Sequence, residues 1–399
     1  MSVKHIGDLK KTECYGCSAC VYSCPFGAIT MEQDREGFRY PVVDEEKCTG
    51  CGKCRKICPS ICPKDMSNAP EPESYAVWAE DNVRRDSSSG GFFTVLARSV
   101  FAQGGVVCGV VTDEDFKVFH TVATNEKEFV PMRGSKYVQS DLRDIFPKVK
   151  EFLGKGKKVL FTGTPCQVAA IKRCTRGKFE ENLFMIDIIC HGVPSLKFFN
   201  DYLQVEKTKK KMDIQKFIFR DKKYGWGKKG SICGIKKGNT VTELVNSRTS
   251  SYYSLFNDGE VFRDCCYKCP FAQEKRVGDL TIGDYWGVEK FSPEVMEENG
   301  GDFSKKNGVS CLMINTDKGK EMLACYGENI RKIPVDIEKI KIINTQLNHP
   351  VKHTYLRDII FKVYTQNGYK GVEKIYRKQL VIRKVKSGLK RVLKFIGLH

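Results

Sequence analysis

Two stretches near the N-terminus hold the densest chemistry in the chain. "CYGCSACVYSCP" sets Cys14, Cys17, Cys20 and Cys24 at C-x-x-C-x-x-C-x-x-x-C-P spacing, and "CTGCGKCRKICP" repeats it with Cys48, Cys51, Cys54 and Cys58. Such spacing wraps one loop around three corners of an iron-sulfur cubane, and the proline turns the chain away afterwards. In two-cluster ferredoxins the fourth cysteine of each run serves the other cluster. One [4Fe-4S] cluster is therefore expected on Cys14, Cys17, Cys20 and Cys58, and a second on Cys48, Cys51, Cys54 and Cys24. Gly16, Gly50 and Gly52 would let backbone amides approach the sulfurs. The rival assignment is a pair of zinc knuckles, and two identical C-P-terminated runs of four argue against it. Cys62 falls outside the pattern and reads as a spare thiol; "SNAPEPES" after it reads as a polar linker.

Four later cysteines stand out by context. Cys166 follows Gly-Thr-Pro in "TGTPCQVAAIK", between an apolar strand and a helix. A thiol there has a lowered pKa, which suits a nucleophile or a metal ligand. Cys190 ends the apolar run "LFMIDIIC", and Cys266 and Cys269 form a C-x-x-C in "RDCCYKCPFA". A lone nucleophile would want a base such as His191. Cys166, Cys190, Cys266 and Cys269 together make a complete Cys₄ set, which a third cluster explains, although Cys265 competes with Cys266.

The stretch "RRDSSSGGFFTVLARSVF" sets Ser87, Ser88, Ser89, Gly90 and Gly91 before an apolar helix. Small residues and free amides at a helix N-terminus can cradle a phosphate, and a plain serine cap is equally compatible with these residues. No G-x-G-x-x-G or Walker motif is present.

The ordered motifs "SSSGGFF", "RGSKYVQS", "GTPCQVAAIK", "CHGVPS", "FRDKKYGWG" and "CYKCPFA…R…DLTIGDYWG" resemble the beta-subunit family of coenzyme F420 hydrogenases and dehydrogenases. The resemblance spans roughly residues 75 to 290, and the preceding ferredoxin region resembles a fusion found in that family. It implies an FAD-binding iron-sulfur protein that moves electrons between a two-electron carrier and one-electron clusters. It implies a third [4Fe-4S] cluster on Cys166, Cys190, Cys266 and Cys269, which makes Cys166 a ligand. It further implies flavin-phosphate contacts from Ser88, Ser89, Gly90 and Gly91, and ring or ribityl contacts from Gly134, Ser135, Lys136 and Tyr137. Lys136 would offer positive charge to a reduced flavin; the plainer alternative is a solvated loop lysine.

The elements that must position these groups form a mixed α+β and α/β chain. A small two-cluster ferredoxin domain is expected over residues 1–67 and a linker over 68–74. A larger mixed-sheet flavin and iron-sulfur domain follows over 75–345, and a basic, mainly helical region over 346–399. Alternating apolar strands and helices from Tyr75 onward support the larger domain, with Cys166 and Cys190 at strand ends, where α/β sheets collect functional groups.

Nineteen cysteines in 399 residues, with no signal peptide and no apolar run long enough to span a bilayer, point to metal rather than disulfides and to the cytoplasm. The formal charge of +19 suggests an acidic partner, such as an electron carrier, a phosphorylated cofactor or an anionic membrane surface. Nucleic acid is not expected, because basic and aromatic residues are not interleaved. From Lys370 the chain carries ten Lys or Arg against one Glu, with Ile375, Ile382, Leu389 and Ile396 at seven-residue spacing. That pattern fits a basic amphipathic helix on a membrane, on an acidic partner or on its own domain. Two functions stay open: a flavin-dependent oxidoreductase, and an electron-relay subunit that feeds a partner enzyme.

Overall fold

The computed structural model describes residues 5–395 apart from 62, 69–71, 143, 302, 305 and 306. Cys62, the middle of the expected linker, Ile396 and the side chain of Leu389 lie outside the described residues.

Each cysteine run folds into a loop and one short helix. The helices α1 (Ala19–Ser23) and α2 (Lys53–Ile57) follow residues in the left-handed region, Ser18 at φ 62° and Gly52 at φ 70°. Each ends on the fourth cysteine of its run: the N–H of Cys24 donates to Val21 and that of Cys58 to Arg55. The antiparallel strands β1 (Ile29–Gln33) and β2 (Arg39–Val43) join the two halves.

The remaining strands are β3 (Glu73–Trp78), β4 (Val106–Thr112), β5 (Val118–Ala123), β6 (Val159–Gly163), β7 (Leu183–Ile188), β8 (Asp213–Ile218), β9 (Gly230–Lys236), β10 (Asn239–Val245), β11 (Leu280–Asp284), β12 (Ser310–Ile314) and β13 (Arg331–Pro334). Eight of them build one mixed sheet in the order β13-β3-β12-β11-β7-β6-β4-β5, with β4, β6, β7 and β11 parallel at its centre. Parallel strands are buried on both faces and so read as unbroken apolar runs. Val159, Leu160 and Phe161 of β6 are fully buried, each contributing about 1.5–3 kcal/mol.

Helices cover both faces. Phe92–Ala102 (α3) packs on one face, while Ile145–Gly154 (α4) and Pro165–Thr175 (α5) pack on the other. Beyond them come α6 (Leu196–Lys210), α7 (Ser251–Asn257) and α8 (Asp317–Tyr326). The last helix, α9 (Tyr355–Phe395), is broken at Gly368, whose φ of 62° and ψ of −169° are not helical. Tyr369, Val372 and Tyr376 are buried just after the break, and Ile375 packs against the same core; Val381, Ile382 and Val385 are exposed. The basic stripe thus starts packed on the body and continues exposed.

A second sheet, in the order β10-β9-β8, is not evident in the sequence. It packs with α6, α7 and α9 around an aromatic core that includes Phe199, Tyr202, Phe219 and Tyr252. The "FRDKKYGWG" segment connects β8 to β9.

Candidate functional site

The structure gathers the cysteines into three groups. Cys17 is raised by burial and then by Cys58, Cys20 and Cys14, so those four thiols share one buried neighbourhood. Burial also pushes Cys58 up to about 11, with Cys14 and Cys54 adding to the rise. The amide of Gly16, at φ 64°, donates to the Cys14 sulfur over 3.4 Å. Cys24, Cys48, Cys51 and Cys54 line a separate small pocket with Gly50 and Gly52, and Cys51 is exposed. Among the described residues, no three His, Cys, Asp or Glu side chains converge on a single-ion site. Thiols around a cubane need not meet at a point, as four ligands of one zinc at about 2.3 Å must.

The third group comes from three distant segments. Cys166 lies in the first turn of α5, Cys190 just beyond β7, and Cys266 and Cys269 in and just after the turn Asp264–Lys268. Cys190 is raised by burial and then by Cys266, Cys166 and Cys269. Cys265 hydrogen-bonds Cys266, which holds the Cys266 thiol below its ordinary value, and packs into the apolar core under α4 and α5. Cys190, Cys166 and Cys269 are each raised by Cys266. The lowered pKa expected for Cys166 is not found: burial pushes its thiol up to about 11, despite a hydrogen bond to Thr164 Oγ1 at 3.2 Å. Burial is the largest cause of that shift and disfavours the thiolate.

A buried ion pair frames this group. Asp187, with no exposed surface, accepts from Arg276 at 2.8 Å, from the amides of Val277 and Gly278, and from Thr281 Oγ1. Arg276 also donates to the carbonyls of Phe271 and Gln273, fixing the loop after Cys269.

Above the carboxyl ends of β4, β6, β7 and β11 opens a cavity of about 390 Å³, the place where open α/β sheets bind ligands. Its wall includes Ser88, Ser89, Gly91, Gly134, Ser135, Lys136 and Tyr137, together with Cys166, Cys190, and Tyr15 and Cys17 from the first run. Ser88 Oγ accepts from Ser135 N at 2.7 Å and bonds Ser135 Oγ at 2.9 Å, tying the two expected loops together. No side chain caps α3, whose N-cap Gly91 has φ 84°. A Cβ on Gly134 would meet no atom within 4 Å.

Individual expectations need correction. Gly90 does not face the cavity: its amide donates to Ser310 Oγ at 3.0 Å, and a Cβ there would lie 2.4 Å from the Val77 carbonyl oxygen. It is a sheet-packing glycine. Ser89 spends its hydroxyl on the Val309 carbonyl. Lys136 is neither solvated nor presented to a ligand, because its ammonium donates to the carbonyls of Pro131, Met132 and Arg133 at 2.9–3.0 Å. The Tyr137 ring lies against Phe256, centroids 4.4 Å apart.

Sequence reasoning missed a polar and aromatic network at the cavity edge. Arg220 pairs with Asp284 at 2.7 Å and donates to the Ser88 carbonyl at 3.0 Å. Trp226 donates to Asp284 and stacks on Trp286, centroids 4.7 Å apart. All four lie in the "FRDKKYGWG" and "DYWG" segments, which are readable as motifs but not as one unit.

Three family models match the chain. The 4Fe-4S dicluster domain covers residues 13–62. The models for the N-terminal and C-terminal parts of the coenzyme F420 hydrogenase/dehydrogenase beta subunit cover 74–146 and 156–339. Among curated proteins, one of the subunits of the F(420)H(2) dehydrogenase of Methanosarcina mazei is 23% identical over 194 residues, 44% of this chain and 53% of that protein. The coenzyme F420-dependent sulfite reductase of Methanocaldococcus jannaschii is 22% identical over 327 residues, 77% of this chain and 45% of that one. The chain thus spans about half the length of these relatives. A chain of the F420-reducing [NiFe] hydrogenase complex from Methanosarcina barkeri superposes with TM-score 0.45 and 13% identity, over 75% of this chain and 94% of that chain. That likeness is too loose to bear on function.

Proposed function

Because the chain belongs to the coenzyme F420 hydrogenase/dehydrogenase beta-subunit family and carries a 4Fe-4S dicluster domain, we propose that its iron-sulfur electron-transfer role ends at a flavin. In this reading Cys24, Cys48, Cys51 and Cys54 hold an outer [4Fe-4S] cluster, and Cys14, Cys17, Cys20 and Cys58 an intermediate one. Cys166, Cys190, Cys266 and Cys269 hold a third. The cavity wall would hold FAD, which when bound would supply electron exchange with an unidentified substrate or two-electron carrier. The single observation that carries the reading is the composition of the cavity wall, which combines the two expected flavin loops with Cys166 and Cys190 and with Tyr15 and Cys17.

The residues fit such a group. An uncapped helix N-terminus at Gly91, open space beside Gly134, and Arg133 and Lys228 in the wall suit an anionic phosphate chain. The flavin, when bound, supplies a junction between one- and two-electron chemistry. The protein's own groups orient and shield: Tyr137 and Trp286 wall the cavity, and Arg220 and Asp284 brace the Ser88 loop.

Flavin content of anaerobically prepared protein tests the reading. About one FAD per chain is expected, and Gly134→Val, which projects a side chain into the open space beside the loops and strains a loop held at φ 81°, should lose it while keeping its iron. Protein that retains iron but takes up no flavin on reconstitution would remove the flavin from this reading. A second reading is a relay subunit without its own substrate, favoured by the likeness to a protein named as part of a dehydrogenase. Turnover by the isolated chain with an artificial donor separates the two.

A further inference from the structure

Arg263 is among the largest side chains in the molecule to be fully buried, at 1% exposure, and it belongs to neither the cavity wall nor the ion pair at Asp187. Its guanidinium reaches across from the Cys266 segment to the first cysteine run. Nε donates to the Cys14 carbonyl at 2.7 Å, and Nη2 lies 3.6 Å from the Cys14 sulfur and 2.8 Å from the Arg39 carbonyl. Nη1 donates to Gln139 Oε1 at 3.3 Å. The rings of Tyr40 and Phe38 lie 4.1 and 5.5 Å from its central carbon. At the other end of the residue, its backbone N–H donates to Val193 and its carbonyl accepts from the amide of Cys266 at 2.9 Å.

Two features of this environment point to a role. Among the described residues no carboxylate pairs with Arg263, so the buried cation lacks the partner that burial normally demands. The ionisable groups it faces are the Cys14 thiol, the Tyr40 hydroxyl, and the Cys265 and Cys266 thiols. Space for the contact is also reserved, because a Cβ on Gly16 would lie 2.8 Å from Nη1.

We propose that Arg263 is a positioning residue that spans the first and third cysteine groups and holds the reduction potential of the first cluster up. The inference rests on the cluster assignment proposed above. A cubane with four thiolates is anionic and becomes more so on taking up one electron. A fixed cation beside a ligand sulfur therefore stabilises the reduced form more than the oxidised one. Hydrogen bonds to cluster sulfurs are a recognised lever on potential, and low local dielectric strengthens it.

The test is a mediated redox titration of reconstituted full-length protein, followed by electron paramagnetic resonance. The signal from Cys24, Cys48, Cys51 and Cys54 is assigned by its loss in Cys51→Ser. In Arg263→Gln the reduced-to-oxidised ratio of the first cluster at fixed potential should fall on the order of tenfold, about 59 mV for one electron. The outer cluster should be unmoved. Arg263→Lys keeps the charge but not the fork, and should show roughly a threefold fall. No shift at the first cluster, or an equal shift in every signal, would overturn the proposal. If Arg263→Gln does not retain its iron, Arg263→Lys decides alone, and an unchanged potential there overturns it. Iron content of the parent protein checks the underlying assignment separately: about twelve atoms supports three clusters, on the rule of four cysteines per cubane.

Discussion

The pocket formed by Cys24, Cys48, Cys51 and Cys54 and the group formed by Cys166, Cys190, Cys266 and Cys269 are assembled in opposite ways. In the first, three cysteines lie within seven consecutive residues of one loop, and only Cys24 comes from elsewhere. A left-handed glycine and a single helical turn are enough to arrange it. In the second, Cys166 and Cys190 come together because β6 and β7 lie side by side in the sheet, and the Cys266–Cys269 segment is tied to the chain after Cys190 by the Arg263 N–H donating to the Val193 carbonyl. A local site can be moved between proteins as one loop, whereas a tertiary site is only as sound as the sheet beneath it.

That contrast can be broken most sharply through iron. Cys166→Ser should lower the content from about twelve atoms to about eight, and Cys51→Ser should affect only the outer cluster, as read by iron assay and spectroscopy. Next in size is the scaffold. Asp187→Ala leaves Arg276 a buried cation without its carboxylate and strands two amides, at a cost of about 3–5 kcal/mol in denaturant unfolding. The third cluster should be lost before the other two.

Acid should also bear on the sheet. His120 is buried, stacks on Phe161, and bonds the Thr162 carbonyl and Ser140 Oγ; burial pulls its pKa from 6.5 down to about 4. The unfolded chain therefore binds more protons between pH 4 and 6.5. Stability that is full above pH 6.5 is lost as pH falls toward 4, by roughly 3 kcal/mol at the limit. His120→Gln should flatten that part of the profile in pH-dependent unfolding. The smallest effect is expected at Cys265: Cys265→Ala should keep all its iron, and loss of about four atoms would reassign the ligand from Cys266.

How much of this is legible in the sequence follows from how far apart the interacting residues are. The two cysteine runs can be read because their spacing is itself the geometry. The six motifs that mark the family can be read for the same reason, each being a short segment. Sheet order cannot, since pairing Glu73 of β3 with Ile314 of β12 leaves no periodic trace in the intervening chain. Asp187 looks like an ordinary polar interruption in "LFMIDIIC", and its role depends on Arg276 and Thr281 arriving from β11 and the loop before it. Gly90 misleads because a glycine beside a helix N-terminus suggests a phosphate cradle, while its actual constraint is the Val77 carbonyl on β3. Arg263 gives no signal in sequence beyond standing two residues before a cysteine pair.

The exposure of Cys51 has a consequence for the molecule in air. Attack by oxygen on an iron-sulfur centre begins where solvent reaches its ligands, and Cys51 is exposed while Cys14, Cys20 and Cys58 are buried. In the proposed reading, corrosion would therefore start at the cluster of Cys24, Cys48, Cys51 and Cys54 and leave the more buried ones intact. The most exposed cluster would then act as the fuse of the circuit, failing first and sparing the cavity behind it.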